Sequence, residues 1–418
     1  MKFETISVVG LGYIGLPTAA VIASNGIRVV GVDVNQHAVD TINQGMIHIV
    51  EPGLEDLVKR AVNDGHLTAH TSPQKADAFL IAVPTPFKGE EHEPDLKYIE
   101  SASRALAPML EKGNLVVLES TSPVGATEQM AKWLAEERSD LTFPHTVAEG
   151  QTPDIFVAHC PERVLPGQVI RELVENDRII GGMDEASTAA ATQVYKMFVK
   201  KGECIATSAR TAEMSKLTEN AFRDVNIAFA NELSLICDQQ GINVWELISL
   251  ANRHPRVNIL QPGCGVGGHC IAVDPWFIVN QNPETAKMIR QARLVNDYKP
   301  HYVVEQVEKA VAGIDNPKIA CLGLAFKPDI DDLRESPALD ITKMLAANPN
   351  YQILAVEPNI EELPRGLNSN DNVRLKNLSD VLNEANIVVV LVKHKEFIGL
   401  CHSDIPNTKI FDFVNAIN

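Results

Sequence analysis

Short saturated apolar runs alternate with amphipathic stretches along the first two hundred residues. Residues 5–9 form a β-prone run, 14–24 carry helical spacing, and 28–32 form a second run that ends at Asp33. Further short runs follow at 78–83, 115–118 and 179–181. Apolar runs of this length, separated by helical patterns, predict a mainly parallel sheet covered by helices on both faces. The period changes from about Ser208. Residues 211–240 contain no Gly or Pro, and Met214, Leu217, Ala221, Val225, Ala228, Leu235 and Ile236 roughly follow helical spacing. One long helix ending at Gly241 is predicted. A helix of that length joins domains, packs against a second copy, or does both.

The last third repeats the first. Ile319-Ala320-Cys321-Leu322-Gly323-Leu324-Ala325-Phe326 echoes Ile6-Ser7-Val8-Val9-Gly10-Leu11-Gly12-Tyr13, and Val356-Glu357-Pro358-Asn359 echoes Val32-Asp33-Val34-Asn35. The run 385–390 echoes 76–81. Three echoes in the same order predict a second doubly wound domain. The expected fold class is therefore α/β, with two Rossmann-like doubly wound domains joined by a long central helix and helical segment. The boundaries fall at 1–203, 204–300 and 301–418. The second turn carries Lys327-Pro328 and lacks the later glycine, so a ligand other than a pyrophosphate, gripped by side chains, is expected there.

Composition narrows the partners. The 418 residues are 45% hydrophobic and 22% charged, ordinary for a soluble globular chain. The apolar run at 385–392, broken by Asn386, is too short to cross a bilayer, and Glu4 stands where the apolar core of a leader peptide would begin. A net charge of −17 argues against nucleic acid or an anionic membrane as partner. A phosphate-bearing substrate would need cations gathered locally. Seven cysteines, scattered and without a CxxC pair, argue against a zinc site or disulfide framework and for a reducing cytoplasm.

The chemistry concentrates in a few places. Gly10-Leu11-Gly12-Tyr13-Ile14-Gly15 follows a strand and opens a helix, with acidic Asp33 closing the next strand. The glycines allow a tight turn and backbone approach to a pyrophosphate, while Asp33 would accept ribose hydroxyls and repel a 2′-phosphate, favouring NAD over NADP. Two loops after strands, Val83-Pro84-Thr85-Pro86 and Glu119-Ser120-Thr121-Ser122-Pro123-Val124-Gly125, either line a ligand crevice or are rigid turns whose hydroxyls cap the next helix.

Cys270 emerges from Gly265-Val266-Gly267-Gly268-His269, with Asp274 four residues on. A buried small hydrophobe is the ordinary fate of a cysteine, and Cys237 and Cys321 fit it. The glycines set Cys270 apart as a candidate nucleophile, and Gly267 and Gly268 read as room for a ligand. Cys264 is its rival. On the long helix, Lys216, Asn220 and Arg223 share a face that is either solvated or functional. Further cations lie at Arg253, His254 and Arg256 and at Lys327 and Arg334.

Together these motifs resemble the UDP-glucose/GDP-mannose dehydrogenase family across essentially the whole chain. The resemblance rests on the N-terminal fingerprint, the two proline loops, Cys160-Pro161-Glu162-Arg163, the Lys216–Asn220 face, Gly267-Gly268-His269-Cys270, and residues 326–337. Within the family, residues 162–167, 254–263 and 265–277 are similar to the branch acting on UDP-N-acetyl-D-mannosamine. Cys264 stands where relatives carry proline, which is expected to soften the loop and leave the chemistry intact. The resemblance implies an NAD-dependent four-electron oxidation of a UDP-sugar to its uronate, for surface polysaccharide of the enterobacterial common antigen type. Cys270 would be the nucleophile, passing through a thiohemiacetal and a thioester. Lys216 would move protons and stabilise oxyanions, Asn220 would hold the same water or oxyanion, and Asp274 or Glu162 would position the hydrolytic water.

By the same resemblance, Gly10, Gly12, Tyr13, Ile14, Gly15, Asp33, Thr85, Thr127 and Arg334 would serve NAD. Arg163, Val164, Lys216, Asn220, Arg223, His254, Arg256, Gly267 and Lys327 would serve the UDP-sugar, with Arg256 reaching across a homodimer built on the long helix. No metal is implied. The rivals are UDP-N-acetylglucosamine or UDP-glucose 6-dehydrogenases, a two-electron dehydrogenase of the 6-phosphogluconate type, and a non-catalytic NAD or nucleotide-sugar sensor.

Overall fold

Alternation inside each strand decides the layering. The computed structural model describes residues 2–417 apart from 90, 149, 166, 269 and 402–407. His269, singled out beside Cys270, thus lies outside the described residues. The chain divides into two compact units, Met1–Thr218 and Glu219–Asn418.

In the first unit the strands are β1 (Thr5–Val9), β2 (Arg28–Val32), β3 (Leu67–His70), β4 (Ala78–Ile81), the hairpin β5 (Phe87–Lys88) and β6 (Glu93–Pro94), β7 (Leu115–Leu118), β8 (Phe156–His159), β9 (Arg178–Gly182) and β10 (Cys204–Ser208). All but the hairpin join one sheet in the order β10-β9-β8-β7-β4-β1-β2-β3. Its pairs are parallel except β8–β9, where Ala158 faces Gly182 in antiparallel register. Along β4, Ala78 and Leu80 enter one core and Phe79 and Ile81 the other. This is the period-two consequence of burying both faces of one sheet.

The second unit contains β11 (Lys318–Leu322), β12 (Gln352–Val356), β13 (Val373–Leu375), β14 (Ile387–Val390) and β15 (Lys409–Asp412), ordered β13-β12-β11-β14-β15 and parallel throughout. Ile319 and Cys321 pack on one side, Ala320 and Leu322 on the other. The order β3-β2-β1-β4 in the first sheet and β13-β12-β11-β14 in the second is the same doubly wound scheme, so the sequence echo is an echo of topology. In each sheet the strand order reverses beside the glycine turn, where such folds bind ligands.

The long helix spans Ala209–Gln240, two residues longer at its start than the apolar spacing predicts. Its Asp224 is fully buried and accepts Arg293 Nη1 at 2.6 Å and Asn296 Nδ2 at 2.8 Å, both from the helix Lys287–Val311. Lys299 Nζ reaches Ser234 Oγ at 2.5 Å along the same seam. Buried charges persist only when paired in this way.

Candidate active site

The first glycine turn is built almost entirely from backbone. Gly10 adopts φ +92° and donates its N–H to the Val32 carbonyl at 2.8 Å. A Cβ there would stand 2.7 Å from the Ala82 carbonyl oxygen, and a Cβ on Gly15 would overlap the Gly10 carbonyl at 1.7 Å. Both glycines are therefore demanded by the fold itself. Gly12 differs, since a Cβ at Gly12 meets nothing within 4 Å. That leaves the backbone of the turn open to the approach of a pyrophosphate. No side chain caps the helix Gly15–Ser24 that follows Ile14, and Tyr13 is 46% exposed. Asp33, half-buried, accepts the Leu11 N–H at 2.8 Å and the Asn35 N–H at 2.9 Å. The residues present fit a dinucleotide.

The two proline loops are tied to each other. The Thr85 hydroxyl donates to the Thr121 carbonyl, and Ser120 Oγ donates to the Val83 carbonyl at 2.7 Å. These hydroxyls therefore do not cap the next helix. Glu213 does: it accepts the Gly125 N–H at 2.6 Å and the Thr127 N–H at 2.8 Å, while the Thr127 hydroxyl donates to it at 2.7 Å. Thr127 is fully buried, and burial raises the Glu213 carboxyl above its ordinary value. Nothing in the local pattern announced Glu213 beyond an acid lying between the apolar positions Ala212 and Leu217.

Glu162 is 7% exposed and pairs with buried Arg178 at 2.6 Å, also accepting the Arg163 N–H at 2.7 Å. Glu119 lies in the same interior. Tyr195 donates to its Oε1 at 2.5 Å, and its Oε2 has no partner among the described residues. Burial, reinforced by the charge of Glu162, pushes the Glu119 carboxyl up to about 7. The Arg163 guanidinium donates to the Asp177 carbonyl at 3.4 Å, and Val164 packs partly buried against the core. Lys216 is half-buried on the long helix.

In the second unit Cys270 is the exposed cysteine, and its carbonyl accepts the Asp274 N–H at 2.8 Å. Asp274, 3% exposed, opens the helix Asp274–Gln281 and accepts Asn220 Nδ2 at 2.5 Å. This bond ties the cysteine segment to the long helix, and with Asn220 only 7% exposed it removes the solvated-face reading for that residue. Arg223, His254 and Arg256 are exposed, the Arg256 N–H lying 3.4 Å from His254 Nδ1. Cys264 is a core residue: its thiol donates to the Leu391 carbonyl at 3.4 Å and burial raises it to about 12. Thiolate character is what nucleophilic attack requires, so Cys264 drops out as a rival.

The glycines before Cys270 answer to packing, which changes their reading as room for a ligand. A Cβ on Gly267 would meet the Glu335 carbonyl at 2.3 Å and Pro337 Cδ at 2.6 Å, and Gly268, at φ +86°, lies against Phe326. Lys327 on that opposing segment is exposed, and Arg334 pairs with Asp332 at 2.6 Å. Asp329, His394 and Glu396 have the spacing of metal ligands. His394 Nδ1 nevertheless accepts the Asp329 N–H at 2.9 Å and its Nε2 faces Glu357 at 3.0 Å, so its lone pair is already used.

Models of three consecutive domains match the sequence: the NAD binding domain of the UDP-glucose/GDP-mannose dehydrogenase family over residues 4–199, its central domain over 210–298, and its UDP binding domain over 320–418. The chain belongs to this family. It is accordingly an NAD-dependent dehydrogenase. It is 67% identical to a UDP-N-acetyl-D-mannosamine dehydrogenase of Campylobacter jejuni, covering 99% of each chain. It is 64% identical to an NDP-N-acetyl-D-galactosaminuronic acid dehydrogenase of Ralstonia solanacearum, over 95% of this chain and 92% of that one. Among solved structures, the UDP-N-acetyl-mannosamine dehydrogenase of Staphylococcus aureus matches with a TM-score of 0.85 at 42% identity, over 99% of this chain and 96% of that one. No described helix is long and apolar enough to cross a membrane.

Proposed function

We propose that this dehydrogenase oxidises the C6 hydroxyl of UDP-N-acetyl-D-mannosamine to the carboxylate, through a thioester on Cys270. The exposed thiol of Cys270, held one turn ahead of the buried Asn220–Asp274 pair, is the observation that carries the reading. The substrate reading is supported by the Campylobacter and Staphylococcus relatives. Residues 1–203 would bind NAD, with Gly10, Gly12, Tyr13, Ile14, Gly15, Asp33 and Thr85 as its contacts and with Thr127 and Arg334 assigned to it by resemblance alone. Residues 204–300 would supply the helical catalytic segment and 301–418 the UDP-sugar domain.

Each NAD, when bound, would accept one hydride, and two NAD molecules are reduced in turn per sugar. The first loss of hydride and of the hydroxyl proton turns the alcohol into an aldehyde, and Lys216 would take part in moving that proton. The Cys270 thiolate then forms a C–S bond to C6 as the C=O π bond opens and its oxygen takes up a proton, giving a thiohemiacetal that still carries a hydride to lose. Its oxidation yields the thioester. Water adds, the C–S bond breaks, and the carboxylate leaves as the thiolate is restored. Asn220 and Lys216 would stabilise the oxyanions, and Asp274 or Glu162 would position the water. Arg163, Val164, Arg223, His254, Arg256, Gly267 and Lys327 would hold the sugar nucleotide, with the cations meeting its diphosphate.

The long helix also presents Phe222, Phe229 and Ile236, spaced by seven residues and 68%, 54% and 41% exposed. A second copy covering that stripe would make a homodimer, and Phe229→Glu should then lower the mass seen by sedimentation. On this reading the enzyme would work in the cytoplasm and feed surface-polysaccharide synthesis, as the family resemblance implies.

Incubation with a panel of UDP-sugars and NAD tests the reading. Two NADH per UDP-N-acetylmannosamine are expected, and Cys270→Ser should make no uronate. One NADH per sugar would remove the thioester, and full turnover by Cys270→Ser would remove the nucleophile. Preference for a galacto- or gluco-configured sugar would shift the substrate within the same chemistry.

A further inference from the structure

The proposed chemistry leaves one buried polar assembly in the second unit unused. Glu357, 4% exposed, accepts the Leu324 and Ala325 N–H groups at 2.8 and 3.0 Å on one oxygen and the Asn359 N–H at 3.1 Å on the other. His394 is fully buried between this carboxylate and the segment 326–336. Because the Asp329 N–H points at Nδ1, the ring proton is assigned to Nε2, which donates to Glu357 at 3.0 Å. Phe397 lies edge-on to the ring at 5.5 Å and fixes its plane.

Two residues of the segment, Asp329 at φ +60° and Glu335 at φ +48°, occupy the left-handed region without being glycine. Such a conformation costs on the order of 1 kcal/mol and persists only where the surroundings over-determine it. At Asp329 the surroundings are His394, which takes its N–H, and Lys395, whose N–H donates to Asp329 Oδ1 at 3.0 Å. At Glu335 the carbonyl accepts the Gly268 N–H at 3.2 Å, in the space that the missing Cβ of Gly267 leaves open. The segment is thus pinned by His394 near one end and grips the cysteine loop at the other.

We infer that His394 is a positioning residue: through Asp329 it holds residues 326–336 in the shape that presents Lys327 and seats the loop carrying Cys270. The inference rests on the proposed roles of those two residues. It also gives Glu357 a meaning different from that of its counterpart Asp33. In the second turn the acid is closed off by a histidine and has become the anchor of a clamp.

Three variants separate the clamp from mere stability. His394→Phe keeps the volume and loses the bonds to Asp329, Asn359 and Glu357, His394→Asn keeps an acceptor for the Asp329 N–H, and His394→Gln keeps a donor to Glu357. We expect His394→Phe to raise KM for UDP-N-acetylmannosamine about tenfold or more and to change the iodoacetamide labelling rate of Cys270, read by mass spectrometry, at least about threefold. NAD affinity should fall less than affinity for the sugar nucleotide, since Arg334 alone of the proposed NAD contacts lies on the segment. His394→Asn should restore both readouts to within about threefold of the parent, and His394→Gln should not. Should His394→Phe fail to fold, the Asn–Gln comparison alone decides. Parental KM and labelling in His394→Phe, or equal damage in Asn and Gln that tracks lost melting temperature, would overturn the inference. A parent protein inert toward every UDP-sugar would instead sink the functional reading, and the labelling rates would still decide the clamp.

Discussion

Two glycine turns on one topology have come to do different work. Each begins with a glycine at positive φ, Gly10 at +92° and Gly323 at +95°, donating its N–H at 2.8 Å to the last residue of the neighbouring strand. In each, an acid at the end of that strand accepts N–H groups from the turn and from the asparagine two residues on. They part at the third position. Gly12 is open and Gly15 lets its helix start against the Gly10 carbonyl. In the second turn Ala325 is buried, Lys327-Pro328 follows, and the helix waits until Pro337. The first turn thus keeps backbone available to a dinucleotide. The second spends the intervening segment on holding a cysteine loop and a lysine, and its acid is buried under His394.

The comparison can be broken most sharply at Gly15. Gly15→Ala forces a Cβ onto backbone, and a loss of about 3 kcal/mol in the melting of the first unit, with NAD binding lost alongside, is expected. A parental melting curve would mean that the helix does not depend on this approach.

The buried acids offer a second test, because they shift in opposite directions. Burial alone would raise Glu357, but hydrogen bonds from His394, the Leu324 amide and Asn359 outweigh it and bring the carboxyl down to about 2. Its contribution is present above the ordinary 4.5 and is lost as pH falls through about 2. Glu119, raised to about 7 chiefly by burial, contributes below 4.5 and loses that contribution as pH rises through 7. Melting temperatures should therefore show Glu357→Gln costing on the order of 2–3 kcal/mol at neutral pH and converging with the parent in acid. Glu119→Gln should flatten the slope between pH 4.5 and 7 instead. Parallel pH profiles for all three proteins would contradict both assignments.

The gentlest probe exchanges the third positions. Gly12→Ala should leave melting unchanged and weaken NAD binding about tenfold by calorimetry, because only the ligand meets the new methyl group. Ala325→Gly should destabilise the second unit by about 1 kcal/mol and create no NAD site. Unaltered NAD affinity in Gly12→Ala would show that the dinucleotide does not approach this position.

Much of this was legible along the chain because it depends on short-range pattern. Strand runs, the Gly10 fingerprint with Asp33, the repeat at Gly323 and the long helix all follow from periodicity and steric exclusion at neighbouring residues. The elements came out close to expectation, with the apolar run at 385–392 containing the strand Ile387–Val390 and with β9 pairing antiparallel with β8. Partners far apart in sequence were not legible. Glu213 caps a helix whose N-terminal residue is Ala126, Tyr195 reaches Glu119, and His394 reaches Asp329, and no local spacing encodes any of these pairs. Cys264 and Cys270 show the same limit: both sit among glycines, and only burial separates a core thiol from an exposed one.

The sequence by itself determined the doubly wound class, the duplication, the NAD fingerprint and the family, since each is written in residue type at fixed short offsets. The tertiary structure decided which glycines the fold demands and which stand open, which cysteine is exposed, and which acids are buried. Those outcomes depend on what arrives from distant segments to fill the space around a side chain, and so on packing, desolvation and hydrogen-bond satisfaction.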